Sequence, residues 1–332
     1  MKPFKVAVFS SKPYDKESFS KFKEANIECQ FFDVRLTEQS VELAKSFDAV
    51  CAFVNDELSN SVLNKLKSYD IKGIALRCAG FNNLDLPCLS KLAMHAARVP
   101  AYSPEAVAEH TVALMMTLNR RLHKAYNRTK EDNFSLNGLL GFNIHGKTVG
   151  LIGTGKIGIA TAKIMRGFGA KVLAYDPYPS DEAAALGCHY TDLNTLLTDS
   201  DIISLHCPLT EQSHHIINQK SVSLMKQGVM IINTSRGGLI DTQAMINGLK
   251  NGQIGHLALD VYEQESELFF EDHSTSIVQD DVFQRLLTFP NVLITGHQGF
   301  FTEEALAQIA QTTMYNLRCF AQNIESENEI VC

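Results

Sequence analysis

The chain has 332 residues, a length that favours two domains over one small core. Apolar residues make up 45% and charged residues 20%, and no apolar run approaches the ~20 residues of a membrane span, so we expect no membrane partner. A formal net charge of −7, without a basic run, argues against a nucleic-acid partner.

The cysteines and histidines are spread along the chain. None of the eight cysteines forms a C-x-x-C pair and most lie in apolar segments, which is typical of reduced thiols in a cytoplasmic protein. Among the eleven histidines, the His214–His215 pair has no further ligand residue close to it in sequence, so we predict no metal. The apolar run before Ser10 is too short for a secretory signal and is predicted to be the first strand.

Short apolar runs alternate with amphipathic stretches over the first hundred residues. The runs are VAVFS, ECQFFDV, DAVCAFV, IKGIALRCAG and ARVPAY. This alternation is typical of βαβ units and predicts a parallel sheet covered by helices. The pattern changes at Ser103, a candidate N-cap before Pro104 and Glu105, where one long helix is predicted to open and to continue through AVAEHTVALMMTLNRRLHKAYNRTK.

A second βαβ series follows the polar stretch at residues 137–146. Its predicted strands are KTVGLI, KVLAYD, DIISLHCPL, GVMIINTSRG, HLALDV and NVLITGHQG, and each run ends in polar or glycine residues. Ligands of open parallel sheets bind beyond the carboxyl ends of the strands, so we expect the chemistry to lie there. A last amphipathic helix, TEEALAQIAQTTMYNLRCFAQN, precedes a polar tail.

A dinucleotide-binding pattern opens the second series. The segment Gly153-Thr154-Gly155-Lys156-Ile157-Gly158 matches G-x-G-x-x-G between a predicted strand and a predicted helix, and Asp176 ends the next strand eighteen residues later. By itself the segment could simply join strand to helix, and Asp176 could be a turn residue before Pro177. The complete unit favours a cofactor site, and a carboxylate that repels a 2′-phosphate favours NAD over NADP.

Three later strand ends carry an arginine, a carboxylate and a histidine. Arg236 lies in NTSRGG, Glu265 in DVYEQE and His297 in TGHQG. A guanidinium can bind a substrate carboxylate through two hydrogen bonds, a histidine can protonate a developing alkoxide, and a carboxylate can stabilise the imidazolium. Each residue alone could be a solvated loop charge or a satisfied histidine. Together beside a nicotinamide they predict interconversion of a 2-keto acid and a 2-hydroxy acid.

The ordered motifs GTGKIG, YDP, HCPLT, NTSRG, LDVYEQE and GHQGFFTEEAL resemble those of the D-2-hydroxyacid dehydrogenase family over essentially the whole chain. The resemblance implies that Arg236 binds the substrate carboxylate, that His297 is the acid/base and that Glu265 is its partner. It further implies that the nicotinamide side is lined by His206, Cys207, Pro208, Thr234, Ser235 and Asp260. For His206 and Asp260, capping of a neighbouring helix is an alternative.

The substrate side is also implied by the resemblance. The backbone of Cys78, Ala79 and Gly80 is expected to contact the substrate carboxylate. Aromatic residues are expected around the substrate methyl group, although aromatics at such junctions are often plain core: Phe53, Tyr102 and Phe300. One departure is Gly296 before His297, where many family members have proline.

The implied fold is two doubly wound parallel-sheet α/β domains, Rossmann-like and flavodoxin-like, with the active-site cleft between them. Residues 1–102 and 300–332 are expected to form the substrate-binding domain and residues 103–299 the NAD-binding domain, with hinges near residues 100–103 and 299–302. A homo-oligomer, a dimer or a tetramer, is expected by family analogy alone.

Within the family, ESELFFEDHSTSIVQDDVFQRL and LRCAGFNN resemble the D-lactate dehydrogenase branch, which implies NADH-dependent, reversible reduction of pyruvate to D-lactate. Two alternatives remain open at this stage. One is a reductase of larger 2-keto acids such as phenylpyruvate or hydroxypyruvate. The other is an NAD(H)-sensing protein-interaction module, because transcriptional corepressors also use this fold in that way.

Overall fold

A computed structural model describes residues 2–331, without the side chain of Glu267. The chain divides into two compact units, the first formed by Met1–Ser103 with Phe301–Cys332 and the second by Pro104–Phe300. The seven cysteines in the described part are free, and Cys332 lies outside it. Within residues 2–331, no helix has the length and apolar character needed to cross a membrane.

Within residues 2–331, twelve strands form two wholly parallel sheets. Their bounds are β1 Phe4–Val8, β2 Ile27–Phe31, β3 Ala49–Ala52, β4 Gly73–Leu76, β5 His95–Ala97, β6 Thr148–Ile152, β7 Lys171–Tyr175, β8 Cys188–Tyr190, β9 Ile202–Leu205, β10 Val229–Asn233, β11 Ile254–Leu259 and β12 Val292–Ile294. The first sheet has the order β2-β1-β3-β4-β5, and the second has the order β12-β11-β10-β9-β6-β7-β8. The predicted fold of two doubly wound parallel sheets is confirmed.

Twelve α-helices accompany the strands in the described part of the chain. Their bounds are α1 Pro13–Ser20, α2 Asn60–Ser68, α3 Leu86–Lys91, α4 Pro104–Arg120, α5 Leu122–Lys130, α6 Lys156–Gly167, α7 Asp181–Ala185, α8 Leu193–Asp199, α9 Gln219–Leu224, α10 Thr242–Lys250, α11 Asp281–Leu287 and α12 Glu303–Gln322. The prediction of one long helix after Ser103 was wrong, because Arg121 has a left-handed backbone (φ 50°) that separates α4 from α5.

The first unit places the last helix of the chain on its own sheet. Residues of α12 pack against buried strand residues in one core, whose members include Phe4, Val6, Cys51, Met314, Leu317 and Phe320. Contact is close at Gly73 in β4, where a Cβ atom would lie 2.5 Å from the Phe320 ring. The sheet order reverses between β1 and β3, so the loops that follow these two strands flank a switch point.

The second unit has an apolar core on each face of its sheet. One core contains side chains of α8, α9, α10 and α11, and the other contains side chains of α4, α6 and α7. The order reverses between β6 and β9, so the loops that follow them lie side by side at the carboxyl edge of the sheet. This edge also carries the loops after β10, β11 and β12, where the sequence places its candidate residues.

Candidate active site

The loops after β10, β11 and β12 are joined by a chain of hydrogen bonds. Asn233, at the end of β10, donates through its side chain to the Arg236 carbonyl (2.8 Å). The Asn233 carbonyl accepts the Asp260 N–H at 2.9 Å, and the Asp260 carbonyl accepts the His297 N–H at 2.8 Å. Because these strands are neighbours in the sheet, residues far apart in sequence are held in one layer at its edge.

His297 and Glu265 form the expected pair. His297 Nδ1 lies 2.8 Å from Glu265 Oε1, and the side chains are 17% and 21% exposed. Glu265 Oε2 accepts the Tyr262 N–H at 2.8 Å, which fixes the carboxylate in place. Tyr262 is itself buried, and its hydroxyl donates to Asp280. With Nδ1 donating to a carboxylate, neutral His297 carries its free lone pair on Nε2, which is the form a general base needs.

The Asp260 carboxylate holds the loop that carries His297. Its Oδ1 accepts the Gln298 N–H at 2.9 Å and its Oδ2 accepts the Gly299 N–H at 2.8 Å, while Asp260 is only 1% exposed. His297 has a left-handed backbone (φ 53°), which is uncommon for a residue other than glycine and needs support from its surroundings. Asp260 therefore supports the strained turn on both sides of the imidazole.

Asp260 is charged at neutral pH. Burial would raise the pKa of its carboxyl group, but hydrogen bonds from His110 and Thr295 outweigh burial and hold the pKa below its ordinary value. Because the pKa is lowered on folding, ionised Asp260 stabilises the folded state at pH values above the ordinary aspartate pKa of about 3.9. This contribution is lost as the pH falls through the lowered pKa of the folded state.

We predict that Asp260→Asn lowers kcat about 10- to 100-fold in both reaction directions. The amide NH₂ group replaces one carboxylate oxygen, so a backbone N–H of Gln298 or Gly299 faces another donor and loses its acceptor. The substitution should also lower Tm, as expected when a buried acceptor is lost. Steady-state kinetics at saturating substrate and calorimetry measure the two effects. A variant with wild-type kcat and a lower Tm would show that Asp260 serves stability alone.

Arg236 lies in the loop after β10, immediately before the 3₁₀ turn Gly237–Leu239, and has an extended backbone (φ −143°, ψ 137°). Its Nη1 donates to the Ser235 carbonyl at 2.6 Å, which occupies one of five N–H donors. Within residues 2–331 its half-buried guanidinium makes no ion pair. The group therefore has charge and donors available for an anionic partner.

The glycine loop after β6 fits the pyrophosphate of a dinucleotide. Gly153 has φ 102°, and a Cβ there would lie 2.5 Å from the Cys207 backbone nitrogen. A Cβ on Gly158 would lie 2.2 Å from the Gly153 carbonyl oxygen, whereas one on Gly155 would meet nothing within 4 Å. The three glycines thus allow a tight turn, open a cradle and let α6 approach β6, as the motif requires. Lys156 and Ile157 begin α6, where the first backbone N–H groups point outward.

Asp176 directly follows β7 and lies beside the glycine loop. Its Oδ2 accepts the backbone N–H (2.7 Å) and the hydroxyl (3.0 Å) of Thr154, and its Oδ1 accepts the Tyr178 N–H at 2.9 Å. The side chain is half-buried, and Oδ1 keeps capacity for a further donor such as a ribose hydroxyl.

We predict that Asp176→Ser narrows the preference for NADH over NADPH about 10- to 100-fold, because a carboxylate that repels the 2′-phosphate is removed. The NADH affinity should also fall, since Thr154 loses its acceptor, while the KM for the keto acid changes little. The ratio of kcat/KM for the two cofactors measures the effect. An unchanged ratio would place Asp176 away from the ribose.

The other residues expected on the nicotinamide side meet within the same unit. Burial lowers the pKa of His206 to about 4, and its Nε2 lies 2.9 Å from Ser204 Oγ, so this histidine is neutral at pH 7. The Ser235 hydroxyl donates to the Cys207 carbonyl at 2.8 Å. The Thr234 hydroxyl faces Thr111 in α4, and Pro208 is exposed. Contacts of these residues with a cofactor stay predictions.

The expected substrate residues fall in both units. In the first unit, Phe53 and Cys78 are buried after β3 and β4, and Ala79, Gly80 and Tyr102 are half-buried. Phe300 is buried in the second unit. The Arg77 guanidinium stacks 4.7 Å from the centre of the Phe53 ring. Roles for these residues stay predictions.

Sequence reasoning missed three polar partners in the second unit. His110 in α4 and Thr295 after β12 bind Asp260, and Glu263 binds His215 with Nε2 2.6 Å from Oε1. No local pattern marks these contacts, since His110 and Asp260 are 150 positions apart.

The comparisons with known proteins show the family to which the chain belongs. Residues 112–299 match the family model "D-isomer specific 2-hydroxyacid dehydrogenase, NAD binding domain". D-lactate dehydrogenase of Escherichia coli is 55% identical over 98% of this chain and all of its own. A solved apo-structure of the D-lactate dehydrogenase from Escherichia coli has a TM-score of 0.90 at 53% identity, covering 98% of this chain and 100% of that one.

A structure described as the pyruvate reductase of Chlamydomonas reinhardtii reaches a TM-score of 0.93 at 42% identity, covering 98% of both chains. These matches confirm the family resemblance and the NAD cofactor that the sequence predicts. They also favour an enzyme over an interaction module. The chain belongs to the D-isomer specific 2-hydroxyacid dehydrogenase family and is an NAD-dependent dehydrogenase.

Proposed function

We propose that this enzyme is a D-lactate dehydrogenase that reduces pyruvate to D-lactate with NADH, reversibly. The observation that carries the proposal is the His297–Glu265 pair on the same sheet edge as Arg236 and the glycine loop. The D-lactate dehydrogenase of Escherichia coli among its relatives supports pyruvate as the substrate.

Arg236 binds the carboxylate of pyruvate in this proposal. Its planar guanidinium offers two parallel N–H donors to the two carboxylate oxygens, which fixes the plane of the substrate. The positive charge also polarises the neighbouring carbonyl group. The internal bond from Nη1 to Ser235 restricts the side chain before the substrate arrives.

His297 supplies the proton. During reduction, protonated His297 donates from Nε2 to the carbonyl oxygen as it becomes an alkoxide, and in the reverse direction neutral His297 removes the hydroxyl proton of D-lactate. Glu265 accepts the Nδ1–H throughout and stabilises the charged imidazole. NADH, when bound, supplies the hydride to the carbonyl carbon.

Further residues complete the proposed site. Gly153, Gly155, Lys156, Ile157 and Gly158 would hold the pyrophosphate, and Asp176 the adenosine ribose. The backbone of residues 78–80 would contact the substrate carboxylate. Phe53, Tyr102 and Phe300 would surround its methyl group and favour a small substrate.

The experiment that tests the proposal follows NADH absorbance with pyruvate, phenylpyruvate and hydroxypyruvate, and then determines the configuration of the product. We expect the highest kcat/KM with pyruvate and a product that is D-lactate. A higher kcat/KM with phenylpyruvate or hydroxypyruvate would assign the enzyme to larger 2-keto acids. Inactivity toward every 2-keto acid would revive an NAD(H)-sensing interaction module.

A cytoplasmic homo-oligomer, a dimer or a tetramer, is the proposed form of the enzyme. Seven free thiols suit a reducing compartment. Large apolar side chains on α5 and the loop after it are 53% to 90% exposed, a pattern typical of a surface covered by another subunit: Leu122, Tyr126, Phe134, Leu136 and Leu140. Light scattering measures the mass, and a monomer at assay concentration would contradict the proposal.

A further inference from the structure

Besides the pairs His297–Glu265 and His110–Asp260, the second unit contains the histidine–carboxylate pair His215–Glu263. His215 Nε2 is 2.6 Å from Glu263 Oε1, and the side chains are 33% and 25% exposed. The other oxygen, Oε2, accepts the backbone N–H of Thr242 at 2.9 Å and also the Thr242 hydroxyl. One carboxylate therefore joins the loop after β9, the loop after β11 and the start of α10. We name His215, Glu263 and Thr242 together the Glu263 clamp.

The segments joined by the clamp enclose the turn that follows Arg236. On one side the His215 N–H donates to the Gly238 carbonyl at 2.9 Å, and the Ile217 N–H donates to the Leu239 carbonyl at 3.1 Å. On the other side Gly237 touches the backbone of residues 262 and 263, since a Cβ there would lie 2.1 Å from the Tyr262 carbonyl carbon. The turn has almost no room to move between these segments.

The enclosed turn determines where the guanidinium points. Arg236 is the residue immediately before the 3₁₀ turn Gly237–Leu239, and its carbonyl is held by Asn233. A bidentate contact with a carboxylate requires a fixed plane, so a small tilt of this turn would break one of its two hydrogen bonds. The clamp bonds the two enclosing segments to each other, and therefore maintains the gap in which the turn lies.

We propose that Glu263, with His215 and Thr242, is a positioning residue for Arg236 and thereby sets the affinity for the substrate carboxylate. The inference rests on the proposed function of Arg236. Glu263 is not an alternative partner for the acid/base, because its two oxygens bind His215 and Thr242 while Glu265 binds His297.

The test measures binding of the substrate carboxylate separately from proton transfer. In Glu263→Ala we expect the KM for pyruvate and the inhibition constant of oxamate, an isostere of pyruvate, to rise about tenfold. NADH affinity and the pH limbs of kcat should stay unchanged. Glu263→Gln retains an acceptor for Thr242 and a polar partner for His215, so it should restore most of the affinity. If Glu263→Ala leaves both the KM for pyruvate and the inhibition constant of oxamate unchanged, the proposal is overturned. A lower Tm in that case would show that Glu263 serves stability alone.

A double-mutant cycle with Arg236→Lys separates this inference from the proposed function. Removing Glu263 should cost little in the Arg236→Lys enzyme, because the group that the clamp positions is already gone. Fully additive losses would show that Glu263 acts elsewhere. If Arg236→Lys alone leaves the KM for pyruvate unchanged, the proposed role of Arg236 fails, whatever the clamp does.

A second pair of variants applies if Glu263→Ala does not fold. Thr242→Val removes the hydroxyl that donates to Glu263, and Thr242→Ser retains it. We expect a higher KM for pyruvate and weaker oxamate inhibition in Thr242→Val than in Thr242→Ser. Equal constants in the two variants would overturn the proposal.

Discussion

Arg236→Lys is expected to lower kcat/KM for pyruvate about 10²- to 10³-fold, through a higher KM and a lower kcat. A lysine ammonium is a point charge that cannot make two parallel hydrogen bonds to a carboxylate or hold the carbonyl in plane. The arginine can donate from Nη1 to the Ser235 carbonyl and still offer its other N–H groups to the substrate, and a lysine cannot reproduce this arrangement. Steady-state kinetics with pyruvate and oxamate inhibition measure the loss.

NADH binding provides the internal control for this variant. The Arg236 side chain donates to the Ser235 carbonyl and the Arg236 carbonyl accepts from Asn233, so its hydrogen bonds lie in the loop after β10 and the dissociation constant of NADH from fluorescence titration should change little. Arg285→Lys, a matched change at an exposed arginine of α11, should behave as wild type. If NADH affinity collapsed in step with activity, the assignment of Arg236 to the substrate would be wrong.

Glu265→Gln should lower the rate about 10²-fold or more in both directions, because general acid–base catalysis contributes roughly 10²- to 10⁴-fold. The backbone N–H of Tyr262 is a fixed donor to this side chain, so the glutamine oxygen must face it. The amide NH₂ then faces His297 Nδ1, which becomes an acceptor. Neutral His297 is left with its hydrogen on Nε2, which is the wrong tautomer for removing a proton from lactate.

The same variant should shift the pH profiles in one direction. Reduction requires protonated His297, and in this variant the charged imidazole loses the negative charge that lies 2.8 Å from its Nδ1 in the wild-type enzyme. The alkaline limb of pyruvate reduction should therefore move to lower pH. Oxidation requires neutral His297, so the acid limb of lactate oxidation should move to lower pH as well.

Profiles of kcat/KM against pH in both directions measure these shifts. Glu211→Gln, an exposed carboxylate in the loop after β9, serves as the matched control and should leave both limbs in place. A lower rate with unmoved limbs would mean that Glu265 only orients the imidazole. If neither the rates nor the pH limbs of kcat/KM change, Glu265 takes no part in catalysis.

The parallel sheets could be predicted because their strands are continuous apolar runs between polar ends. All residues of β9 and β10 are buried, as expected for central strands covered on both faces. The sequence prediction missed β8, a three-residue strand at the sheet edge in which only Cys188 is buried. The sequence of β8 is Cys-His-Tyr, which contains no apolar run, and its pairing with β7 exists only in the folded sheet.

The helix after Ser103 shows a different limit. Its apolar periodicity and its proline start predict α4 correctly, but nothing in NRRLHK marks a break. Arginine rarely adopts a left-handed backbone, and no glycine or proline lies near residue 121. Tertiary contacts compensate for the strain, since Arg121 and Lys124 both donate to the Pro290 carbonyl.

The sequence alone determined which chemical groups stand at the carboxyl ends of the strands: the glycine loop, Asp176, Arg236, a carboxylate and His297. These follow from motif spacing, which is local. The partners of each group were decided by the tertiary structure. Glu263 and Glu265 lie two positions apart after β11, yet Glu265 binds His297 and Glu263 binds His215 and Thr242.

The physical reason is that these hydrogen bonds join residues that lie 21 to 48 positions apart in sequence. The residues come together because β9, β10, β11 and β12 are successive neighbours in the sheet. Asp260 shows the same dependence. Its carboxylate was expected on the nicotinamide side, and in the folded sheet both its oxygens accept backbone N–H groups of the loop after β12. A local pattern can specify a carboxylate at a strand end, but the donors that surround it are supplied by neighbouring strands, whose order is a property of the whole sheet.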